Sequence, residues 1–310
     1  MTTKHYVAPR KIVAWGEYAV LAGAPARVLA VDRLARVSIT PAENVFINAM
    51  GFTAPRLEQN HLNFSKQPVA SLVETILQAW GYQAYPCGLR IEIDSRDFYQ
   101  DQKKLGLGSS AAVCVALYRG LAELLAQEAH LSQAMQIHRQ FQQGSGSGMD
   151  IATSWYGQTI RFQSDGDTRP EAFDPNISLA VVFTGNSAST PKHLASFAKW
   201  RAAGDTATLD ALVKCSTALD EQFTSASLAT YIQALKALDN HAQLNIFTPM
   251  HQQLHNQAHD LGLQYKPCGA GGGDIGMAFG FPGQEHAMQQ FRHWAEQNCT
   301  LLDVNLSKSD

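Results

Sequence analysis

Alternation of apolar and polar positions marks the first strands of the chain. Ile12–Trp15 reads as a buried strand, and Ala35–Thr40 alternates as a half-buried strand does. The period then lengthens to that of a helix. Val69, Leu72, Val73, Ile76 and Leu77 fall on one face of a predicted helix over Pro68–Trp80, and Gly81 follows as its C′ residue. Leu89–Ile93 alternates again. Beyond it the glycine-rich run Leu105-Gly-Leu-Gly-Ser-Ser-Ala-Ala112 opens a predicted helix from Ser109 to about Gln127, with Val113, Leu117, Leu121, Leu124 and Leu125 as its buried stripe. A second cluster, Gly144-Ser-Gly-Ser-Gly148, leads into Met149–Trp155, and Gly157–Phe162 reads as a strand.

Turn formers and charges gather at Asp165–Pro170, which the pattern predicts to be a linker. It divides the chain into an N-terminal unit, residues 1–168, and a C-terminal unit, residues 169–310. A length of 310 residues suits two such units better than one minimal core. In the second unit the pattern predicts a strand (Leu179–Phe183), helices beginning near Pro191, Thr206, Leu228 and Asn245, and two strands flanking the glycines of 269–273. A helix (His286–Gln297) and a strand (Leu301–Val304) follow. That order is a ferredoxin-like split βαβ with a helical insert, so the fold class is α+β, with a mixed α/β unit first.

Composition narrows the partners. The 24 basic and 27 acidic residues are spread along the chain without a basic stripe, which argues against nucleic acid. Cys87, Cys114, Cys215, Cys268 and Cys299 form no CxxC pair, so neither a zinc site nor a disulfide framework is expected. The apolar stretch from Ala19 to Val31 is broken by Gly23, Pro25 and Arg27 and is too short for a membrane span. Residues 1–10 hold no apolar signal segment. A cytoplasmic protein with no membrane partner is expected.

The glycine-rich run carries the first candidate chemistry. Backbone N–H groups converge on an anion only where no β-carbon intervenes, and the first turn of a helix adds unpaired donors and the positive end of its dipole. Gly106, Gly108 and the helix at Ser109 meet both conditions. The spacing is neither GxxxxGK[ST] nor GxGxxG, so the Walker and dinucleotide readings fail. Alone, the run is also what an ordinary turn and helix start looks like.

Three segments in order carry more. Pro9-Arg-Lys-Ile-Val-Ala-Trp-Gly-Glu-Tyr-Ala-Val-Leu21, Lys104-Leu-Gly-Leu-Gly-Ser-Ser-Ala-Ala112 and Gly269-Ala-Gly-Gly-Gly-Asp274 resemble the three motifs of the GHMP kinases, the galacto-, homoserine, mevalonate and phosphomevalonate kinases. The resemblance covers about residues 8 to 280. It implies an N-terminal ATP-binding domain of the ribosomal protein S5 domain 2-like kind and a ferredoxin-like C-terminal domain. Gly146-Ser-Gly-Met-Asp-Ile-Ala-Thr-Ser154, and Thr184-Gly-Asn-Ser-Ala-Ser-Thr190 beside Gly271-Gly-Gly-Asp-Ile-Gly276, resemble the phosphomevalonate kinase branch.

The roles implied are these. Lys11 neutralises charge at the transferred phosphoryl group and Asp150 positions or polarises the acceptor. Lys104, Gly106, Leu107, Gly108, Ser109, Ser110 and Ala111 hold ATP, and Ser110, ahead of Ser109, ligates Mg²⁺. Glu17, Ser147, Ser189, Thr190, Lys192, Gly272 and Asp274 surround a small anionic substrate, phosphomevalonate or similar. A monomer or homodimer is expected. A phosphate monoester has a second pKa of about 6 and is largely dianionic near neutrality, so toward such an acceptor Asp150 serves geometry more than deprotonation.

Departures from the pattern set further expectations. Arg10 replaces the usual glycine before Lys11 and is expected to point outward. Gln158 follows Gly157 where a second glycine is common, and Cys268 stands where serine is frequent. The stretch Ile137–Gln143 has no acid, where mevalonate kinases are expected to supply a second metal carboxylate. His138 there reads as a helix residue with a satisfied ring. Toward the substrate's anionic groups, Lys103, Lys104, Arg139, Lys192 and His193 are the nearest cations by sequence; for that role all but Lys192 read first as ordinary solvated residues. His251, His255 and His259, spaced i, i+4, read as solvent-facing. Two alternatives stay open: a kinase for an alcohol such as mevalonate or another hydroxy acid or sugar, and a non-catalytic relative that binds ligand.

Overall fold

The computed structural model describes residues 2–50, 54–58, 68–100, 103–142, 144, 146–164, 166–204 and 206–307. In chain order the elements are β1 (Lys4–Trp15), β2 (Ala26–Pro41), β3 (Phe46–Met50), β4 (Ala54–Glu58), α1 (Pro68–Ala79), β5 (Leu89–Asp94), β6 (Tyr99–Gln100), β7 (Lys103–Lys104), α2 (Ser109–Leu124), α3 (Leu131–Phe141), α4 (Met149–Tyr156), β8 (Ile160–Phe162) and β9 (Arg169–Pro170). They continue with β10 (Ser178–Phe183), α5 (Thr190–Ala202), α6 (Ala207–Glu221), α7 (Ser225–Ala242), α8 (Pro249–Asp260), β11 (Gln264–Pro267), β12 (Ile275–Gly280), α9 (Glu285–Asn298) and β13 (Thr300–Leu302). The α+β class expected from the sequence is what the chain adopts. Among the described residues no helix is long and apolar enough to cross a membrane.

β1 and β2 pair antiparallel from Lys4↔Ile39 to Trp15↔Arg27 and form the spine of a seven-stranded sheet. Their outer halves alternate, but Ala8–Trp15 and Ala26–Val31 are buried on both faces, which erases the period-two signal and explains why the sequence revealed only parts of them. On the other edge of β2, β8 pairs with Ala26–Val28 and β5 with Arg36–Pro41. Between them the C-terminal segment closes the edge through a Val31↔Leu306 bridge, and Asn305 Nδ2 donates to Asp32.

Helices α1 to α4 share one core with this sheet, which joins Val37, Ile39, Ile91 and Ile93 to Leu72, Ile76, Val113, Leu117 and Ile137. A β-carbon at Gly120 would meet Ile39 and Tyr6 at 2.7–2.8 Å, so this glycine lets α2 lie close against β1 and β2. That close seat fixes where α2 begins. The helix ends at Leu124, short of Gln127, and Ala126 takes a positive φ of 51° just beyond.

The second sheet is antiparallel in the order β11-β12-β10-β13, the strand order of a ferredoxin-like unit. One face packs on α8 and α9 through Leu254, Ala258 and Phe291. The other contributes Phe183, Met277 and Phe279 to a core that also holds Leu212, Tyr231 and Leu235 of the helical insert and Ile12, Trp15 and Leu29 of the first sheet. Both sheets are therefore joined through shared apolar packing.

Three boundaries differ from expectation. Within Asp165–Pro170 the described residues form a hairpin turn and β9, which pairs Arg169 with Arg161, and the chain leaves the first sheet after Pro170; Asp165 lies outside the described residues. The helix expected from about Leu228 starts at Ser225, where Thr224 and Ser227 form a capping box. The helix expected from Asn245 starts at Pro249, because Asp239 accepts hydrogen bonds from the Ile246 and Phe247 amides at 2.8 Å and holds that stretch as a loop.

Candidate active site

A cavity of about 420 Å³ opens where the end of β1, the N-termini of α2, α4 and α5, one face of α3 and the turn at 269–274 converge. The glycine-rich loop enters it by alternation. Leu105 and Leu107 are wholly buried and anchor the loop, while Gly106 and Gly108 between them have φ of 68° and 77°. A β-carbon at Gly106 would strike the Asp274 side chain, and one at Gly108 would come within 3.3 Å of Lys11. Gly108 and Gly148 occupy the N-cap positions of α2 and α4 with no side chain to cap them. First-turn amides of both helices are thus presented at the cavity wall, the arrangement that favours anions.

Lys11 and Asp150 meet in this cavity, with Nζ 3.2 Å from Oδ1. Lys11 is buried and its backbone N–H donates to Leu107 O. Ser154 Oγ, one turn along α4 from Asp150, donates to Pro9 O at 2.9 Å. Packing of α4 on β1, not side-chain flexibility, thereby brings the two charges together.

Ser110 lies on the cavity side of α2, and its Oγ sits 3.0 Å from His138 Nε2 and receives the Gln142 amide at 3.3 Å. Burial pushes the His138 pKa down, opposed by the nearby Asp150 carboxylate. The satisfied ring expected of His138 is present, and its partner is the predicted metal donor. Among the described residues no cluster of three or more His, Cys, Asp or Glu side chains is arranged to hold a metal. That donor set suits Mg²⁺, which keeps several waters and relies on one or two protein oxygens plus substrate phosphates. Ser110 and Asp150 are the residues that would hold it.

The opposite wall rests on a buried network. Lys266 Nζ donates to Glu17 Oε1 at 2.5 Å and to Val13 O, and Tyr231 donates to Glu17 Oε2 at 2.7 Å. Glu17, expected at the substrate, reaches the cavity only as part of this network, which also receives the Gly269 amide. Tyr18, with φ of 58°, donates its hydroxyl to Ala270 O at 2.6 Å. His251 bridges Tyr265 Oη and Gly273 O at 2.8 and 2.9 Å. Asp274 Oδ1 accepts from Ala188 N at 3.1 Å, and Asp274 N donates to Asn186 O. Asp274 therefore links the 184–190 loop to the glycine-rich loop it touches at Gly106.

Of the predicted residues, Lys11, Glu17, Gly106, Gly108, Ser109, Ser110, Ser147, Asp150, Ser189, Thr190 and Asp274 line one cavity. Leu107 and Ala111 have buried side chains and are not among the residues lining the cavity. Gly272 faces the His193 ring, and Lys192 is exposed on α5; neither is among the residues lining the cavity. The Lys104 side chain lies outside the described residues. Arg10 is not directed outward. It is wholly buried, with its guanidinium 3.7 Å over the Phe98 ring and, among the described residues, no hydrogen-bond partner for its nitrogens, and burial lowers its pKa to about 8. With Lys11 turned to the cavity, strand alternation sends its neighbour to the opposite face.

His251 and His255 are also corrected, since both are buried on the face of α8 that carries Leu254 and Ala258. Sequence reasoning missed Tyr18, the Glu17 partner Lys266, and the α3 face on which Met135, His138 and Gln142 line the cavity beside Arg139, a residue considered only as a candidate cation. A polar helical stretch just upstream of a glycine cluster was the available signal for the last of these.

Residues 67–158 match the family model of the GHMP kinases N terminal domain. A phosphomevalonate kinase from Streptomyces sp. (strain CL190) is 29% identical over 87% of this chain and 88% of its own length. One from Saccharolobus solfataricus is 27% identical over 96% and 95%. A solved structure of Streptococcus pneumoniae phosphomevalonate kinase with phosphomevalonate and AMPPNP superposes over 99% of this chain and 100% of that one, with a TM-score of 0.78 at 19% identity. The glycine loop, the Lys11 and Asp150 pair and these likenesses converge on a small-molecule phosphotransferase that carries a GHMP kinase N-terminal domain over residues 67–158.

Proposed function

We propose that this kinase transfers the γ-phosphoryl group of ATP to the phosphate of 5-phosphomevalonate, giving the diphosphate and ADP. The observation that carries the reading is the Lys11 and Asp150 pair at 3.2 Å, set beside two helix N-termini in a cavity whose other wall bears Arg139. Lys11, Arg139 and the helix N-termini are the groups there that would meet an anionic acceptor, and Asp150 and Asp274 are the carboxylates beside them. Two phosphomevalonate kinases that span 87% and 96% of the chain favour the same acceptor, while a mevalonate kinase that spans 90% of it keeps an alcohol acceptor as the alternative.

In this reading residues 1–168 hold the nucleotide, and residues 169–310 supply the acceptor wall through the 187–190 and 269–274 segments. An acceptor phosphate oxygen attacks the γ-phosphorus in line while the bond to the β-phosphate oxygen breaks, and ADP leaves. Lys11 stabilises negative charge on the transferred group, and the first-turn amides of α2 hold the triphosphate. Asp150 keeps Lys11 and the acceptor in register. Mg²⁺, held by Ser110 and Asp150 with the nucleotide, would supply charge neutralisation when bound.

Phosphorus NMR of a reaction with ATP, Mg²⁺ and 5-phosphomevalonate tests the reading. Coupled doublets of a new diphosphate ester alongside ADP are expected. ADP formed with the acceptor phosphate unchanged would overturn the assignment and leave the family intact.

A further inference from the structure

His138 has no part in the reaction as described above, yet it is buried at the cavity wall and bonded to Ser110. A serine hydroxyl has one proton to donate and two lone pairs. Gln142 already donates to Ser110 Oγ and uses one of those pairs. If His138 Nε2 also donated, no lone pair would remain for a cation. If Nε2 is bare, it takes the hydroxyl proton and leaves the second pair free toward the cavity.

We propose that His138 is a positioning residue whose bare Nε2 accepts the Ser110 hydroxyl proton and thereby turns a Ser110 lone pair toward the nucleotide-bound divalent cation. The inference rests on reading Ser110 as a metal donor. Two further observations fit it. The stretch 137–143 offers no carboxylate, and no acidic cluster replaces one among the described residues. With Asp150 as the single carboxylate, the weak Ser110 hydroxyl carries a larger share of the protein's hold on Mg²⁺, so its orientation matters more here than in a site with a second carboxylate. Partners that orient a metal ligand typically change affinity by 10- to 100-fold when removed.

The test measures Mn²⁺ affinity in the presence of AMPPNP by electron paramagnetic resonance, with AMPPNP affinity in EDTA and the melting temperature as companions. His138→Phe is expected to weaken Mn²⁺ binding about tenfold or more, with melting and metal-free nucleotide affinity unchanged. Ser110→Ala should weaken it as well, and the double variant should be no worse than Ser110→Ala alone, because His138 acts through that hydroxyl. Wild-type Mn²⁺ affinity in His138→Phe, or losses that add in the double variant, would overturn the proposal.

Should His138→Phe fail to fold, nitrogen-15 NMR of the wild-type imidazole decides the matter. A non-protonated Nε2 is expected, and a protonated Nε2 contradicts the proposal. Absence of any Mn²⁺–AMPPNP binding by the wild-type protein would instead count against the reading of the site as a kinase centre.

Discussion

Lys11 Nζ and Asp150 Oδ1 stand 3.2 Å apart, one on β1 and the other in the first turn of α4. Lys11 is nearly enclosed, whereas the Asp150 side chain keeps 31% of its surface exposed toward the cavity. The lysine is therefore held by the fold and the carboxylate is the half that faces incoming ligand. Lys11→Met is expected to lower kcat by roughly 10²- to 10³-fold, the cost of removing a charge-stabilising donor, with little change in KM for ATP. Steady-state kinetics check it.

Asp150→Asn separates positioning from base catalysis. With a phosphate acceptor the loss of kcat should fall short of the roughly 10²- to 10⁴-fold typical of a removed general base. With any alcohol the enzyme turns over, the loss should reach that range. Parallel kcat measurements on both substrates decide it.

Arg139 lines the cavity from the last turn of α3. Arg139→Ala should raise KM for the phosphorylated acceptor about tenfold while leaving KM for ATP near wild type. Arg139→Lys should restore only part, since an ammonium lacks the planar fork that meets two phosphate oxygens at once.

The Glu17 and Lys266 pair is almost completely shielded from solvent. Removing one partner strands the other charge, and Lys266→Met should cost roughly 3–5 kcal/mol of stability in urea unfolding. Pairing it with Glu17→Gln should recover part of that loss. A single variant as stable as the wild type would show that the network contributes little.

His251 governs one pH response. Burial holds its pKa down at about 4, against 6.5 for the free side chain, with its hydrogen bond to Gly273 O opposing the shift and the nearby Lys266 charge adding to it. The unfolded chain binds the proton first, so this contribution is complete above about pH 6.5, shrinks as the pH falls toward 4, and changes no further below that. The difference corresponds to about 3 kcal/mol. Urea unfolding from pH 7 to pH 4 should show that decline, and a His251→Leu variant should show a flatter one.

What the sequence disclosed was local. Leu105 and Leu107 alternating with Gly106 and Gly108 announce a loop with anchored side chains and open backbone, and the outer part of β2 alternates because only one of its faces is covered. What it concealed depends on contacts between distant segments. The Glu17 partner Lys266 is set by the pairing of two units across a shared core, and the Ser110 partner His138 by the way α3 lies beside α2. Arg10 was misread because the direction of a strand residue depends on which neighbour the cavity claims. His251 and His255 were misread because a buried helix face built with imidazoles looks polar on a hydropathy scale.

The central claim is the acceptor. The most direct measurement is kcat/KM for 5-phosphomevalonate and for mevalonate under saturating ATP and Mg²⁺, with ADP release coupled to NADH oxidation. The expected result is a strong preference for 5-phosphomevalonate, and a preference for mevalonate would contradict it.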